Sequence, residues 1–371
     1  VVLTGRATEA GTRRYAARMA PTVPAEHYRP LAPLGLLSSL GVGTYLGQDD
    51  AATDALYRRA LARALERGLN VVDTAVNYRH QRSERTVGVV LGELAGRGTL
   101  GRDEVVVASK GGYIPLDAEA TTDPRTYITE TYLKPGIIKP EEVAGGAHCM
   151  SPRYLQNQIE RSRANLGLET LDVYYLHNPE AQLQELERSR FLDRIRDAFQ
   201  ALEQAVREGS IVCYGTATWN GYRQPPDAPD YLSLEELIQI ARQIAGPDHH
   251  FKVIQLPYNL AMPEAFTRAN QRVGSETVPV LEAARRLGVY VMASASVYQG
   301  QLTRNLPAVV AEYVPGFGSD AQRALQFVRS TPGIGTALVG MKTVAHVEEN
   351  AAVAAASPMV WEQFRRMFSE A

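Results

Sequence analysis

"NVVDTAVNYRHQRSERTVG", residues 70–88, starts as an apolar run, stops on Asp73 and sets Tyr78 five residues further on. A strand buried on both faces of a parallel sheet reads as a continuous apolar run rather than an alternating one. A carboxylate that ends such a run is either a helix cap or a functional group at the mouth of a barrel or crevice. The neighbouring sequence decides between them. From Leu34 onward, short apolar runs alternate with longer amphipathic ones. The strand runs are 37–45, 71–75, 104–110, 171–177, 211–218, 252–256, 289–294 and 335–340. Between them lie helical patterns with apolar residues at spacings of three and four. Residues 52–68 close on Gly68, and the next helix opens at Ser83. Ser151-Pro152 places a capping residue before a first-turn proline. Ser233 with Glu236, and Ser319 with Gln322, have capping-box spacing.

Strand–helix alternation implies a parallel sheet. Eight such units favour a closed (β/α)8 TIM barrel over an open sheet. The expected domain layout is an N-terminal extension over 1–33, the barrel over 34–356 and a C-terminal helix over 357–371. The extension is expected at the surface, with a short helix around Arg13 to Met19. Residues 111–150, after the third strand, are too long for an ordinary connection, and 113–150 is expected as a lid-like insertion.

Composition narrows the function classes. The chain has 371 residues, 45% hydrophobic and 22% charged, with a net charge of −2. That balance gives no electrostatic footprint for nucleic acid or an anionic membrane. No apolar run approaches membrane-spanning length. Two cysteines, Cys149 and Cys213, make no disulfide framework, so a reducing cytoplasm is the expected compartment. The first residues lack a signal-peptide core and an initiator Met.

Three successive strands end on polar residues: Asp73, Lys110 and His177. Taken singly, each has a bland reading as a cap, a snorkelling chain or a satisfied polar group. In a barrel the three ends converge on one mouth, where such enzymes keep their chemistry, and Tyr78 hangs from the loop after the first. Only five lysines occur in the chain, so one at a strand's inner end is poorly explained by solubility. The grouping suits proton transfer to a carbonyl oxygen. A tyrosine hydroxyl titrates near 10, and a neighbouring ammonium is expected to lower that value. Asp73 would keep Lys110 charged and His177 would orient the carbonyl. Tyr78 would then act as general acid in reduction and general base in oxidation. No side chain supplies a hydride, so a nicotinamide cofactor is implied.

These residues sit in "GVGTY" at 41–45, "DTAVNY" and "SERTVG", "ASK", "LH", "IQLPYN" at 254–259 and "VGMKTVAHVEEN" at 339–350. Over about Leu34 to Ala356 the chain resembles the aldo-keto reductases. The resemblance implies a (β/α)8 barrel that reduces aldehydes and ketones with NADPH, less often NADH. It puts the family's catalytic four on Asp73, Tyr78, Lys110 and His177. It also implies cofactor contacts from Gly43, Thr44, Tyr45, Asp73, Thr218, Gln255, Ser294, Val297, Gly300, Gly340, Lys342, His346, Glu349 and Asn350. Gln255 falls where the family binds the nicotinamide carboxamide; Lys342, His346, Glu349 and Asn350 fall at the adenosine end. Lys342 and His346 share one helix face near an N-terminus suited to phosphate, which implies a preference for NADPH. Tyr45, Tyr113 and Trp219 are the expected substrate contacts.

The chain also departs from the family. Ala217-Thr218 stands where Ser-Asn is usual, and Ser294 stands where a nicotinamide-stacking tyrosine is common, with Tyr298 four residues on. His346 stands where Arg is frequent. Several motifs are decoys. "GRGTLG", 96–101, has dinucleotide-loop glycines, but it follows a helix and precedes a strand, so it reads as a turn. His249-His250 and His148-Cys149 lack metal-ligand spacing, and no metal is expected. Two rival readings remain: a regulatory NADP-binding barrel acting as a redox sensor, and a metal-dependent barrel hydrolase. The substrate is expected to be a small carbonyl compound, with the loops 111–150, 219–231, 258–276 and 297–317 setting specificity.

Overall fold

The computed structural model describes residues 2–368. Eight parallel strands close into the expected barrel: β1 Leu40–Gly43, β2 Val71–Asp73, β3 Val106–Gly111, β4 Leu171–His177, β5 Ile211–Ala217, β6 Phe251–Pro257, β7 Tyr290–Ser294 and β8 Thr336–Gly340. Around them run α1 Ala51–Glu66, α2 Arg82–Gly96, α3 Pro152–Leu166, α4 Arg188–Arg207, α5 Leu234–Ala245, α6 Val280–Leu287, α7 Asp320–Ser330 and α8 Val344–Ala354. The period of two along each strand separates two packing environments. Val71, Val106, Ala108, Val173, Tyr175, Cys213, Val253 and Met292 fill the barrel interior. Val72, Val107, Tyr174, Tyr214 and Ile254 face the helices. Both faces are buried, which is why the strands read as unbroken apolar runs. Gly215 lets β5 and β6 approach closely, because a Cβ there would meet the Val253 carbonyl oxygen at 1.6 Å.

The expected first strand, 37–45, is divided. Leu37 and Ser38 end an antiparallel hairpin, Tyr28–Leu31 with Gly35–Ser38, and the barrel strand begins at Leu40. Leu31, Leu34 and Leu37 join the interior cluster, so this part of the chain forms the barrel floor. Residues 28–33 of the expected surface extension therefore belong to this floor. The helix before it spans Glu9–Met19, four residues longer than expected, because Thr8 caps it by accepting from the Gly11 N–H at 3.0 Å. Its Tyr15 is fully buried and donates to the Leu65 carbonyl at 2.6 Å. Each strand of the hairpin is only four residues long, too short for a clear periodicity.

Other local signals fared unequally. Ser319 and Gln322 form the reciprocal capping box on α7. Ser233 caps α5, but Glu236 turns away to Arg188. Ser151 makes no capping bond; Pro152 alone marks the start of α3. Segment 258–276 is not a plain loop: it holds a short helix, Glu264–Thr267, and the strand Ala269–Val273, paired with Glu276–Pro279. Residues 96–101 form the turn from α2 towards β3. Within 113–150, Tyr132, Ile138 and Cys149 build a small core against Tyr154 of α3. Near the end of the chain, a short helix Trp361–Phe364 stacks Phe364 on Phe327, ring centroids 5.6 Å apart. The expected helix continues as a turn over Arg365–Phe368, and its residues 369–371 lie outside the described part. Among the described residues, no helix is long and apolar enough to cross a membrane.

Candidate active site

Parallel register carries the strand ends to one rim. Asp73 pairs with Ala108 on β3, Lys110 with Tyr175 on β4, His177 with Ala217 on β5, and Ala217 with Gln255 on β6. Lys110 is fully buried and donates to Asp73 Oδ2 at 2.6 Å and to the Thr74 carbonyl at 2.9 Å. Gln255, from the opposite side of the barrel, donates to Asp73 Oδ1 at 2.8 Å. Both carboxylate oxygens are therefore committed. Burial alone would drive the Lys110 ammonium to release its proton, but Asp73 and Tyr78 more than offset it and its pKa is raised. A buried charge persists only with such pairing.

The Lys110 Nζ lies 4.7 Å from the centre of the Tyr78 ring. Burial raises the Tyr78 pKa by more than the charge of Lys110 lowers it, so the net direction is upward. Lys110 does lower the value, as expected from the sequence, but burial outweighs it, and the phenol is protonated at neutral pH. His177 meets Tyr78 edge-on at 5.8 Å and Tyr113 at 5.2 Å. Burial, with Lys110 and His148 nearby, holds its pKa well below the ordinary value, so the imidazole is neutral. Its Nδ1 is buried without a partner among the described residues. Any hydrogen bond it gives to a ligand therefore falls to Nε2.

The loop after Tyr78 holds backbone strain. Arg79, His80 and Gln81 have φ of 50°, 49° and 74°, three successive left-handed residues without a glycine. Such conformations cost on the order of 1–3 kcal/mol each and persist only where surroundings enforce them. Arg79 donates to the Gln48 carbonyl and to Asp54 Oδ1, each at 2.6 Å. Gln81 donates to the Leu116 carbonyl at 2.9 Å, and Ser83 to the Thr44 carbonyl at 2.8 Å. These bonds fix the path that delivers Tyr78 to the rim.

A cavity of about 520 Å³ opens over this cluster, and Gly43, Thr44, Tyr45, Asp73, Thr218, Gln255, Ser294 and Val297 line it, with Tyr78 and His177. Tyr45, Tyr113 and Trp219 supply aromatic wall. From the 113–150 segment, Tyr113 lines this cavity. A second cavity of about 350 Å³ is lined by Gly300, Gly340, Lys342, His346, Glu349 and Asn350. Leu46, Val297 and Gln299 line both, which makes one elongated groove. Thr343 caps α8 by accepting from the His346 N–H at 3.3 Å. Ser319 holds Glu349 Oε1 at 2.6 Å, whereas Asn350 Oδ1 is buried with no partner among the described residues.

Where the sequence departs from the family, the geometry follows. Thr218 spends its backbone N–H on the Gln255 carbonyl at 2.8 Å, and its hydroxyl lies 3.5 Å from the same oxygen. Tyr298 does not line the cavity; Ser294, Ala295, Ser296 and Val297 form that wall. The sequence reading missed Asn77 and Asn178. Asn77 lies inside the quoted "DTAVNY" and lines the cavity with Oδ1 buried and unpartnered among the described residues. Asn178 is left-handed at φ 47° and donates to the Tyr113 hydroxyl at 3.2 Å. His148, set aside as a failed metal ligand, is buried against the His177 backbone. His250 pairs with Glu203 at 2.8 Å.

The model of the Aldo/keto reductase family matches residues 39–310. The NADH-specific methylglyoxal reductase of Escherichia coli (strain K12) is 23% identical over 293 residues, 76% of this chain and 71% of that protein. An aldo/keto reductase from Klebsiella pneumoniae, crystallised with NADP and acetate, has TM-score 0.61 and 20% identity, covering 92% of this chain and 95% of that one. The glycerol dehydrogenase from Gluconobacter oxydans has TM-score 0.64 and 18% identity, covering 93% and 94%. With the family model spanning most of its length and this barrel beneath it, the chain belongs to the aldo/keto reductase family.

Proposed function

We propose that the protein reduces an uncharged aldehyde or ketone to an alcohol with NADPH, with NADH as the weaker alternative, and that Tyr78 is the general acid. The observation that carries this reading is the joint placement of Asp73, Lys110, Tyr78 and His177 at the inner end of a two-lobed groove. When bound, the nicotinamide cofactor would supply the hydride. The groove suits such a molecule. Lys342 lies beside the N-terminus of α8, a favourable place for phosphate. Asn350 Oδ1 offers a buried acceptor for an amino group, and Gln255 and Thr218 border the inner lobe.

Tyr78 gives its proton to the substrate oxygen as that oxygen gains charge. Being protonated at rest, it needs no prior uptake. Lys110 stabilises the phenolate left behind, and Asp73 holds Lys110 charged and aimed. His177, neutral, donates from Nε2 to the same oxygen and fixes its direction. A hydroxyl on Tyr78 that is harder to ionise is the weaker acid, so the nearby ammonium contributes mainly as the phenolate forms.

The substrate's charge follows from the lining. Among the described residues lining the main cavity there is no Lys or Arg, and the one carboxylate, Asp73, is fully paired. A carboxylate on the substrate would lose water without gaining a counter-ion. Tyr45, Tyr113 and Trp219 instead suit the apolar face of a ring, and Asn77 can accept from a hydroxyl. The test is NADPH oxidation against matched pairs of neutral and carboxylate-bearing aldehydes. Stoichiometric turnover favouring the neutral member by about tenfold or more, roughly 1.4 kcal/mol, is expected. NADPH binding without turnover across the panel would favour the redox-sensor reading instead.

A further inference from the structure

We propose that the 113–150 segment acts on the reaction through His148, a positioning residue that holds His177; this rests on the catalytic reading of His177 above. Beyond β3 the chain leaves the barrel and returns to it. The Cys149 N–H donates to the Gly112 carbonyl and the Ile114 N–H to the Ala147 carbonyl, each at 2.8 Å. This closure carries His148 to the end of β4, where its Nε2 lies 2.7 Å from the His177 carbonyl oxygen.

A chain of hydrogen bonds sets the tautomer. Arg194 of α4 can only donate. It donates to Gln182 Oε1 at 2.7 Å, and also to the carbonyls of Glu141 and Glu142 at 2.7 and 3.1 Å. Gln182 Nε2 therefore donates to His148 Nδ1, at 3.0 Å. The His148 proton is left on Nε2, which donates to the His177 carbonyl. Each link has one direction, and the direction ends at the catalytic strand.

His177 needs this support because it lacks the usual one. A functional histidine is normally aimed by a hydrogen bond to its second ring nitrogen, yet His177 Nδ1 has no partner among the described residues. Its aim depends on its backbone and on ring edges. The next residue, Asn178, is left-handed, so the backbone there is not held by strand geometry alone. His148 pins that carbonyl, and its ring meets Tyr113 edge-on at 5.2 Å, which in turn meets His177 at 5.2 Å. Gly112 gives an independent sign of the same contact. A Cβ added there would lie 2.7 Å from both His148 Nε2 and the His177 carbonyl oxygen. Only glycine leaves the bond room to form.

The test is a double-mutant cycle on the full chain, with NADPH and the best aldehyde of the panel. His148→Ala should lower kcat about 10- to 100-fold, the scale of a misplaced catalytic group, with NADPH affinity unchanged. His148→Gln, which keeps a donor near the Nε2 position, should recover most of the loss. Gly112→Ala should reproduce the loss while leaving the His148 side chain intact, and so serves if His148→Ala folds poorly. In a His177→Asn background, His148→Ala should cost less than about twofold, since residues acting as one unit are not additive. An equal loss in both backgrounds would make His148 a general packing residue and overturn the proposal. Wild-type kcat in His148→Ala and Gly112→Ala, with His177→Asn impaired, would overturn it alone. Wild-type kcat in His177→Asn would remove the underlying role of His177, and this proposal with it.

Discussion

On the β2–β3 side of the mouth, Asp73 is held by Lys110 from the neighbouring strand and by Gln255 from across the barrel. On the β4 side, His177 is surrounded by Tyr113, His148 and Asn178, which come from the irregular segment after β3 and the turn after β4. The first side is built by the barrel itself, from strand register that cannot slip without losing the core. The second side is assembled from connections, which tolerate change in length and sequence. The buried ion pair that supports proton transfer is thus lodged in strand register, whereas Tyr78, on the loop after β2, and the surroundings of His177 are held by connections.

Removing the proton donor or its strand-built partner Lys110 should have the largest effect. Tyr78→Phe keeps the ring and removes the proton, so the chemical step should fall by about 10²- to 10⁴-fold, with NADPH affinity and melting temperature nearly unchanged. Lys110→Met should be as severe for turnover and should also destabilise the fold. It leaves Asp73 buried with its charge uncompensated, a change that costs about 3–5 kcal/mol. Single-turnover rates together with urea unfolding separate the two variants; a stable, active Lys110→Met would refute the ion-pair role. The raised pKa of Tyr78 adds a sign. Reduction needs the phenol and should be flat across neutral pH, whereas alcohol oxidation needs the phenolate and should climb as pH rises. A reduction rate that fell as pH rose through 7 would contradict the protonated resting state.

The same contrast explains what could be read in advance. Asp73, Lys110 and His177 were legible because each interrupts an apolar strand run at its end, and the alternation of elements carries such ends to one rim. His148 was not, since its partner His177 lies 29 residues on and their contact exists only because 112–114 closes against 147–149. Asn77 lay in plain view within a quoted motif, but an asparagine in a loop has many ordinary roles. The floor hairpin was merged into β1, because Leu37 and Leu40 are both apolar and Ser38-Ser39 resembles strand interior as much as a boundary. Lys110 lowers the Tyr78 value as expected, but the larger contribution of burial is not written in residue spacing.

A gentler probe of the connection-built side is acid stability. Burial lowers the pKa of His148 from 6.5 to about 4. The unfolded chain therefore binds a proton in a window, between its own value near 6.5 and about 4, where the folded chain does not. Stability from this histidine is complete above the window and is lost as pH falls through it. The loss between about pH 7 and about pH 5 should be on the order of 2 kcal/mol. His148→Gln should flatten that portion of the urea-derived stability against pH, measured as a difference from the unmodified chain. The difference matters because His27, on the barrel floor, is lowered to about 3 and adds a similar slope to both. Parallel curves for the two proteins would show that His148 is not buried as a neutral group.

The outer lobe extends the comparison to a third kind of construction, exposed side chains at a helix end. Lys342 and His346 border the groove but are solvent-exposed, unlike the fully buried Lys110. Thr343 already caps α8, so removing Lys342 should leave the helix intact and take away only a charge. A single exposed cation near a helix N-terminus and a phosphate is worth roughly 1 kcal/mol, or about fivefold in affinity. Lys342→Ala should therefore weaken NADPH by about that factor and NADH hardly at all, because only NADPH carries the additional phosphate. The preference should also shrink with added salt, since an exposed pair is screened within about 10 Å at 0.1 M. Titration of both cofactors against the two proteins, by quenching of intrinsic fluorescence, gives the ratio directly. An unchanged ratio would move cofactor discrimination away from the start of α8.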